Sequence, residues 1–307
     1  MADRRDLLLL DAELRDAWGI DLGSMEDPGW WESLERDCPS ELVTRFREIH
    51  QAYSQAEIGG GPQAERAERA FFDLAADDRL LGRVHSHRRP VIIDCAALVD
   101  DLLVSRGIVG PVLDAGCHAG YLSAWWARHE SLEVVGCDLS RPALELGRRR
   151  CARLGRAAEL VEGDLLPEGD EGRFELIVAV DVLPEEIGSG LRGLERLVSG
   201  LSENGWLVLS TGHRLDVAWS PLERVSGGLA DLGLGFVDAG CLGGVVSPEQ
   251  EPLGQNVFVF RRGGGGGLPG DCVERSRHDW PGFLEHAGDP DVPDREKSVA
   301  WYRARRR

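Results

Sequence analysis

Apolar residues recur at helical spacing through the first third of the chain. Leu42, Phe46, Ile49 and Tyr53 form one stripe, and Ala67, Ala70, Phe71, Leu74 and Ala75 form another. A period of three to four residues marks a helix with one buried face, so this third is expected to be helical. Pro28 and the run Gly59-Gly60-Gly61-Pro62 interrupt it, and Pro90 precedes a further apolar helix expected over about Val91 to Val104.

Beyond Gly110 the pattern changes to short apolar runs alternating with longer amphipathic stretches, the signature of βαβ units and a parallel sheet. Strands are expected at Pro111 to Asp114, Leu132 to Asp138, Ala158 to Glu162, Phe174 to Asp181 and Trp206 to Ser210. Helices are expected at Tyr121 to His129, Arg141 to Leu154, Glu186 to Leu201 and Pro221 to Leu232, each bounded by Gly, Pro or Ser. Gly235 to Leu242 and Gln255 to Arg261 read as two last strands that could pair antiparallel, completing an α/β sheet of about seven strands. The glycine run Gly263 to Gly267 has no side chains to pack and reads as a linker. The division expected is a helical cap over 1–107, a sheet domain over 108–262, and a linker with tail over 263–307.

Composition narrows the function. A formal net charge of -18 puts an anionic field over the surface, which opposes nucleic acid and anionic lipid as partners. The basic run Arg148-Arg149-Arg150 reads as a solvated helix face. Seven scattered cysteines with no C-x-x-C pair suggest neither a disulfide framework nor a zinc site, which fits a reducing cytoplasm. The leucine run near the start, closed by Asp11, is too short for a signal or membrane segment.

The most informative stretch is Val112-Leu113-Asp114-Ala115-Gly116-Cys117-His118-Ala119-Gly120, a buried strand running through a glycine-bearing turn into a helix. Open parallel sheets bind ligands at such a place, at the carboxyl ends of their strands. A dinucleotide site would want G-x-G-x-x-G, yet His118 and Tyr121 stand where the second and third glycines belong, which opposes a nicotinamide-dependent oxidoreductase. The stretch instead resembles the first motif of the class I S-adenosylmethionine-dependent methyltransferases, with Asp114, Gly116 and Gly120 matching and His118 departing from the middle glycine. Val134 to Ser140, an apolar strand ending in Asp138 and Leu139, resembles the ribose-binding acid. Glu162-Gly163-Asp164-Leu165 resembles the adenine-binding turn, and Ala179 to Pro184, containing Asp181, falls where the family places residues between cofactor and acceptor.

The resemblance implies a Rossmann-like, mostly parallel sheet in the order 3-2-1-4-5-7-6 with helices on both faces. It also implies binding of S-adenosyl-L-methionine, with S-adenosyl-L-homocysteine as product, by Asp114, Gly116, Cys117, His118, Gly120, Asp138, Leu139, Asp164, Leu165 and Asp181. Methyl transfer needs alignment, exclusion of water and, for some acceptors, removal of a proton. His213, His87 and Tyr53 are the candidates for that work: His213 follows the fifth strand, His87 lies with His85 beside Arg88 and Arg89 just before the sheet domain, and Tyr53 is an aromatic of the cap. No ligand cluster accompanies the His85-x-His87 spacing, so no metal is expected. The expected acceptor is a small molecule, of the kind met in specialised metabolism, taken up by a possible homodimer. The alternatives are an inactive binding or regulatory protein and a protein side-chain methyltransferase.

Overall fold

The computed structural model describes residues 4–21, 28–59, 61–182, 187–211, 231–242 and 255–264. Seven strands form one sheet in the order β3-β2-β1-β4-β5-β7-β6, as the sequence led us to expect. They are β1 (Val112–Ala115), β2 (Val134–Asp138), β3 (Glu159–Glu162), β4 (Phe174–Ala179), β5 (Leu201–Thr211), β6 (Leu234–Leu242) and β7 (Gln255–Arg262). The first five pair in parallel, and β7 runs antiparallel between β5 and β6. The order reverses between β1 and β4, which opens a crevice above the carboxyl ends of those two strands.

Alternate strand residues feed two cores. Val112, Val134, Leu176, Val178 and Val208 face a layer holding α1 (Arg4–Trp18), α6 (Arg89–Arg106), α7 (Tyr121–Trp126) and α8 (Arg141–Leu154). Leu113, Val135, Ile177 and Leu207 face the other side, where Leu194, Leu197 and Val198 of α9 (Ile187–Gly200) cover them. The period of two puts consecutive residues on opposite faces, so a fully apolar run such as Val112-Leu113 is a strand buried on both sides.

A third cluster belongs to α2 (Pro28–Asp37), α3 (Ser40–Gly59), α4 (Gly61–Ala75) and α5 (Leu81–Val84), built on Trp30, Phe46, Phe71 and Leu74. Pro28 begins α2 rather than only interrupting a helix, because the missing N–H has no partner in a first turn anyway. α6 differs from these helices. It is buried from Arg89 through Leu103 and packs in the same core as the sheet, so the N-terminal third supplies both a cap and one layer of the sheet domain.

Several element ends differ from expectation. α7 stops at Trp126 instead of His129, because Arg128 and His129 donate to Trp125 O and Trp126 O in a tightened last turn. β4 ends at Ala179, since Asp181 takes a left-handed backbone that no strand continues. β5 begins at Leu201, extended by pairing with Phe174. The basic run is a solvated face only in part: Arg148 and Arg149 are exposed, Arg148 donating to Leu160 O, whereas Arg150 is buried, lies over Trp18, and donates to Ala17 O and Asp78. Most of the expected helix Pro221 to Leu232, together with the tail from Leu268, lies outside the described residues.

Candidate active site

Three residues other than glycine have positive φ among those described: His118 at 49°, Leu165 at 62° and Asp181 at 61°. They follow β1, β3 and β4, so all the backbone strain of this kind sits on one crest of the sheet. Strained residues cluster where a ligand site over-determines the chain.

Asp114 is the third residue of β1 and is buried, with Ser123 Oγ of α7 donating to its Oδ2 at 2.6 Å. Burial disfavours its charge and raises the carboxyl to about 7, against the opposing Ser123 hydrogen bonds. Gly116 then turns the chain at φ 72°, and a Cβ there would lie 2.0 Å from Val182 Cγ1, so only glycine fits. Gly116 N–H and Cys117 N–H both donate to Cys137 O, at 2.8 and 3.1 Å, which fastens this loop to the end of β2. Gly120 caps α7 in the left-handed region with Leu160 pressed against it.

Asp138 ties the neighbouring loops together. Its Oδ2 accepts from His118 N–H and its Oδ1 from Ser140 N–H, both at 2.7 Å. A carboxylate offers about four acceptor positions, so each oxygen keeps capacity for another donor. Gly163 N–H donates to Asp138 O at 3.0 Å and brings the turn after β3 alongside. In that turn Asp164 is exposed, 3.7 Å from Arg196, and Leu165 packs against the core that α9 covers. Leu139 is exposed, and its carbonyl accepts from Arg69 of α4 at 3.2 Å.

His118 points away from the crest and into the cap. Its Nε2 donates to Phe72 O of α4 at 3.0 Å, so that nitrogen carries the proton, and its ring lies 4.7 Å from His85 and 5.7 Å from Phe72. Burial lowers its pKa, keeping the ring neutral. The side chain is therefore a stitch between loop and cap, while its backbone N–H serves the crest. Ser140 Oγ adds a second stitch, donating to Asp73 Oδ1 of α4 at 2.6 Å.

A cleft with about 40 Å³ of free space opens between the cap side and the crest. Arg88, Val91, Ile92 and Cys95 line one wall, while Asp114, Gly116, Cys117, Tyr121, Leu122, Val180 and Asp181 line the other. Arg88 closes the 3-10 turn Ser86–Arg88 and pairs with Asp181 across it. Asp181 N–H is held by Ser210 Oγ of β5 at 2.8 Å. The Cys117 thiol is raised well above its ordinary range by burial, which leaves it a packing group rather than a nucleophile.

Residues 112–203 match the family described as Methyltransferase domain. Over those residues, from β1 into β5, the sheet carries a methyltransferase domain. Over 92 residues the chain is 34% identical to Ribosomal RNA small subunit methyltransferase C of Escherichia coli O1:K1 and of Escherichia fergusonii. That match covers 30% of this chain and 26% of those proteins, so the chain spans about a quarter of the length of the curated relatives it matches. Among solved structures, magnesium protoporphyrin IX methyltransferase (ChlM) from Synechocystis PCC 6803 with bound SAH aligns at 17% identity, covering 73% of this chain and 95% of that one, with TM-score 0.44. A SAM dependent methyltransferase from Aquifex aeolicus aligns at 16% identity over 56% and 92%, with TM-score 0.42.

The methyltransferase domain thus brings Asp114, Gly116, Cys117 and Asp181 to one cleft, with Asp138, Leu139, Asp164 and Leu165 along the crest beside it. Tyr53 lies in the cap cluster, stacked on Phe71 at 4.9 Å, outside the cleft lining. His87 sits in the turn before α6 with its side chain outside the described residues, and His213 lies outside them altogether. Sequence reasoning missed Arg88, Ser123 and Tyr121 as members of the site. Ser123 falls on the same helix that the glycine turn launches, and that was the available signal; Arg88 gave none beyond its place beside His87.

Proposed function

We propose that the chain transfers a methyl group from S-adenosylmethionine to a small-molecule acceptor. The carrying observation is that acids stand at the carboxyl ends of three adjacent strands, Asp114 on β1, Asp138 on β2 and Asp164 just past β3. When bound, the cofactor supplies an electrophilic sulfonium methyl. Asp114 would hold its ammonium, Asp138 its ribose hydroxyls and Asp164 the amine of its adenine. Leu139 and Leu165 would wall the base, with the backbone of Gly116, Cys117, His118 and Gly120 shaping the loop below. The residues present fit the group: Asp138 retains acceptor capacity after its two backbone bonds, and Asp114 is a buried acid that a cation would ionise.

The small acceptor is favoured by two features. The net charge of -18 repels polyphosphate, and α4 is stitched down over the crest by Arg69, Phe72 and Asp73, leaving a narrow cleft rather than an open groove. The match to a ribosomal RNA methyltransferase supports an RNA acceptor as a second reading, over the matched segment only. Titration calorimetry with S-adenosylhomocysteine tests the core claim. Micromolar binding is expected, with Asp138→Ala weakening it about tenfold to a hundredfold through loss of charge-assisted hydrogen bonds. Labelled-methyl transfer to panels of metabolites, proteins and ribosomal RNA then separates the acceptors; absence of binding would favour a regulatory protein instead.

A further inference from the structure

The two consecutive arginines at the start of α6 do different work. Arg89 is buried and committed to α1 and the loop after it, with Nη2 on Asp11 Oδ1 at 2.5 Å and Nη1 on Asp21 Oδ1 at 3.0 Å. Arg88 turns the other way, into the cleft, where its partner is Asp181. Among the described residues lining that cleft, Arg88 is the one cation, and Asp114 and Asp181 are the acids. The rest of the wall beside them is largely apolar, with Val91, Ile92, Leu122 and Val180. A guanidinium there needs an anion next to it, since burying an uncompensated charge is costly.

Asp181 meets that need from a strained position. Its backbone is left-handed and is pinned by Ser210 Oγ, so the carboxylate is delivered to Arg88 at a conformational cost. A ligand bearing an α-amino acid brings its own carboxylate, which satisfies Arg88 without that cost, together with an ammonium for Asp114. Arg88 and Asp181 both line the cleft and pair with each other there, beside Asp114.

We infer that the Arg88–Asp181 ion pair is an exchangeable latch: the carboxylate of an α-amino-acid ligand takes the place of Asp181 on Arg88. The inference rests on the methyltransferase reading for the identity of that ligand. Asp181 is then a competitor of the ligand, and its removal tightens binding. Arg88 is a binding residue, and its removal weakens binding only of ligands that carry the amino-acid part. The homocysteine part of S-adenosylhomocysteine is a zwitterion with no net charge, so changing one charge in the cleft acts mainly through contact.

The test is calorimetry on the full chain with S-adenosylhomocysteine and with 5′-methylthioadenosine, the same nucleoside thioether lacking the amino acid. Wild type is expected to bind both. Asp181→Asn should tighten S-adenosylhomocysteine by about fivefold, the gain from opening a partly buried ion pair, and leave methylthioadenosine unchanged. Arg88→Gln should weaken S-adenosylhomocysteine by about tenfold or more and leave methylthioadenosine unchanged. Circular dichroism checks folding, and should Arg88→Gln not fold, the two affinities of Asp181→Asn decide alone. Asp181→Asn binding S-adenosylhomocysteine as wild type does, or more weakly, overturns the latch while leaving the methyltransferase reading standing. Arg88→Gln weakening both ligands equally also overturns it. Wild type binding neither ligand overturns the reading and the latch together.

Discussion

Asp114 carries a cost that the ammonium-binding role proposed for it would explain. Its carboxyl is raised to about 7 by burial, against roughly 3.9 for an aspartate in the unfolded chain. The folded state therefore binds more protons than the unfolded state between about pH 4 and 7, and stability falls as pH rises through that window. Asp114→Asn removes the titration while keeping an acceptor for Ser123. The variant should be more stable than wild type at pH 8 by about 1–3 kcal/mol, with the gain shrinking toward pH 4, as read by denaturant titration across pH. A gain that does not change with pH would show that Asp114 is not the titrating group. Asp114, Gly116 and Asp138 were legible in the sequence because each ends an apolar run where the sheet must deliver its loops. Arg88 was not, since its partner Asp181 lies far along the chain and only the packing of α6 on the crest brings them together.

The elements around the site show why a histidine replaces the expected glycine. His118 holds φ 49°, which costs an L-residue about 1 kcal/mol, and its ring recovers that by burial against Phe72 and His85 and by the bond to Phe72 O. A glycine would relax the backbone but leave α4 with one stitch fewer. His118→Gly is therefore expected to be destabilised by about 1–3 kcal/mol, with loss of the buried ring outweighing relief of strain. Hydrogen exchange should show about tenfold faster exchange in Gly61–Ala75 and little change in β1 or β4. Uniform acceleration throughout would mean that the histidine supports the whole domain rather than the cap. The strand count was legible in the alternating apolar runs and helices, and the strand order came from the resemblance carried by Asp114, Gly116 and Gly120. The role of His118 was not, because the motif only shows that a glycine is missing, and the contact that replaces it belongs to a helix of the cap.

At the scale of the whole molecule the excess of acids acts against folding as well as against polyanionic partners. A net charge of -18 makes the folded chain repel itself, and compaction raises that repulsion. Salt acts on two terms of opposite sign. It screens the long-range repulsion, whose range at low ionic strength exceeds the spacing of surface charges, and it weakens the exposed ion pairs such as Arg15–Asp16, Arg36–Asp37 and Arg141–Glu145. Each exposed pair is worth only about 0–1 kcal/mol, and the buried pairs such as Arg89–Asp11 are screened little. Repulsion should win, so Tm is expected to rise by a few degrees between about 0.01 and 0.15 M sodium chloride at pH 7.5, as followed by calorimetry. The same series at pH 5 should show a smaller rise, because protonation of histidines and of part of the carboxylates reduces the surplus. A Tm that falls with salt at pH 7.5 would mean that ion pairs, not the net field, dominate the charge energetics, and would remove the electrostatic ground for disfavouring an RNA acceptor.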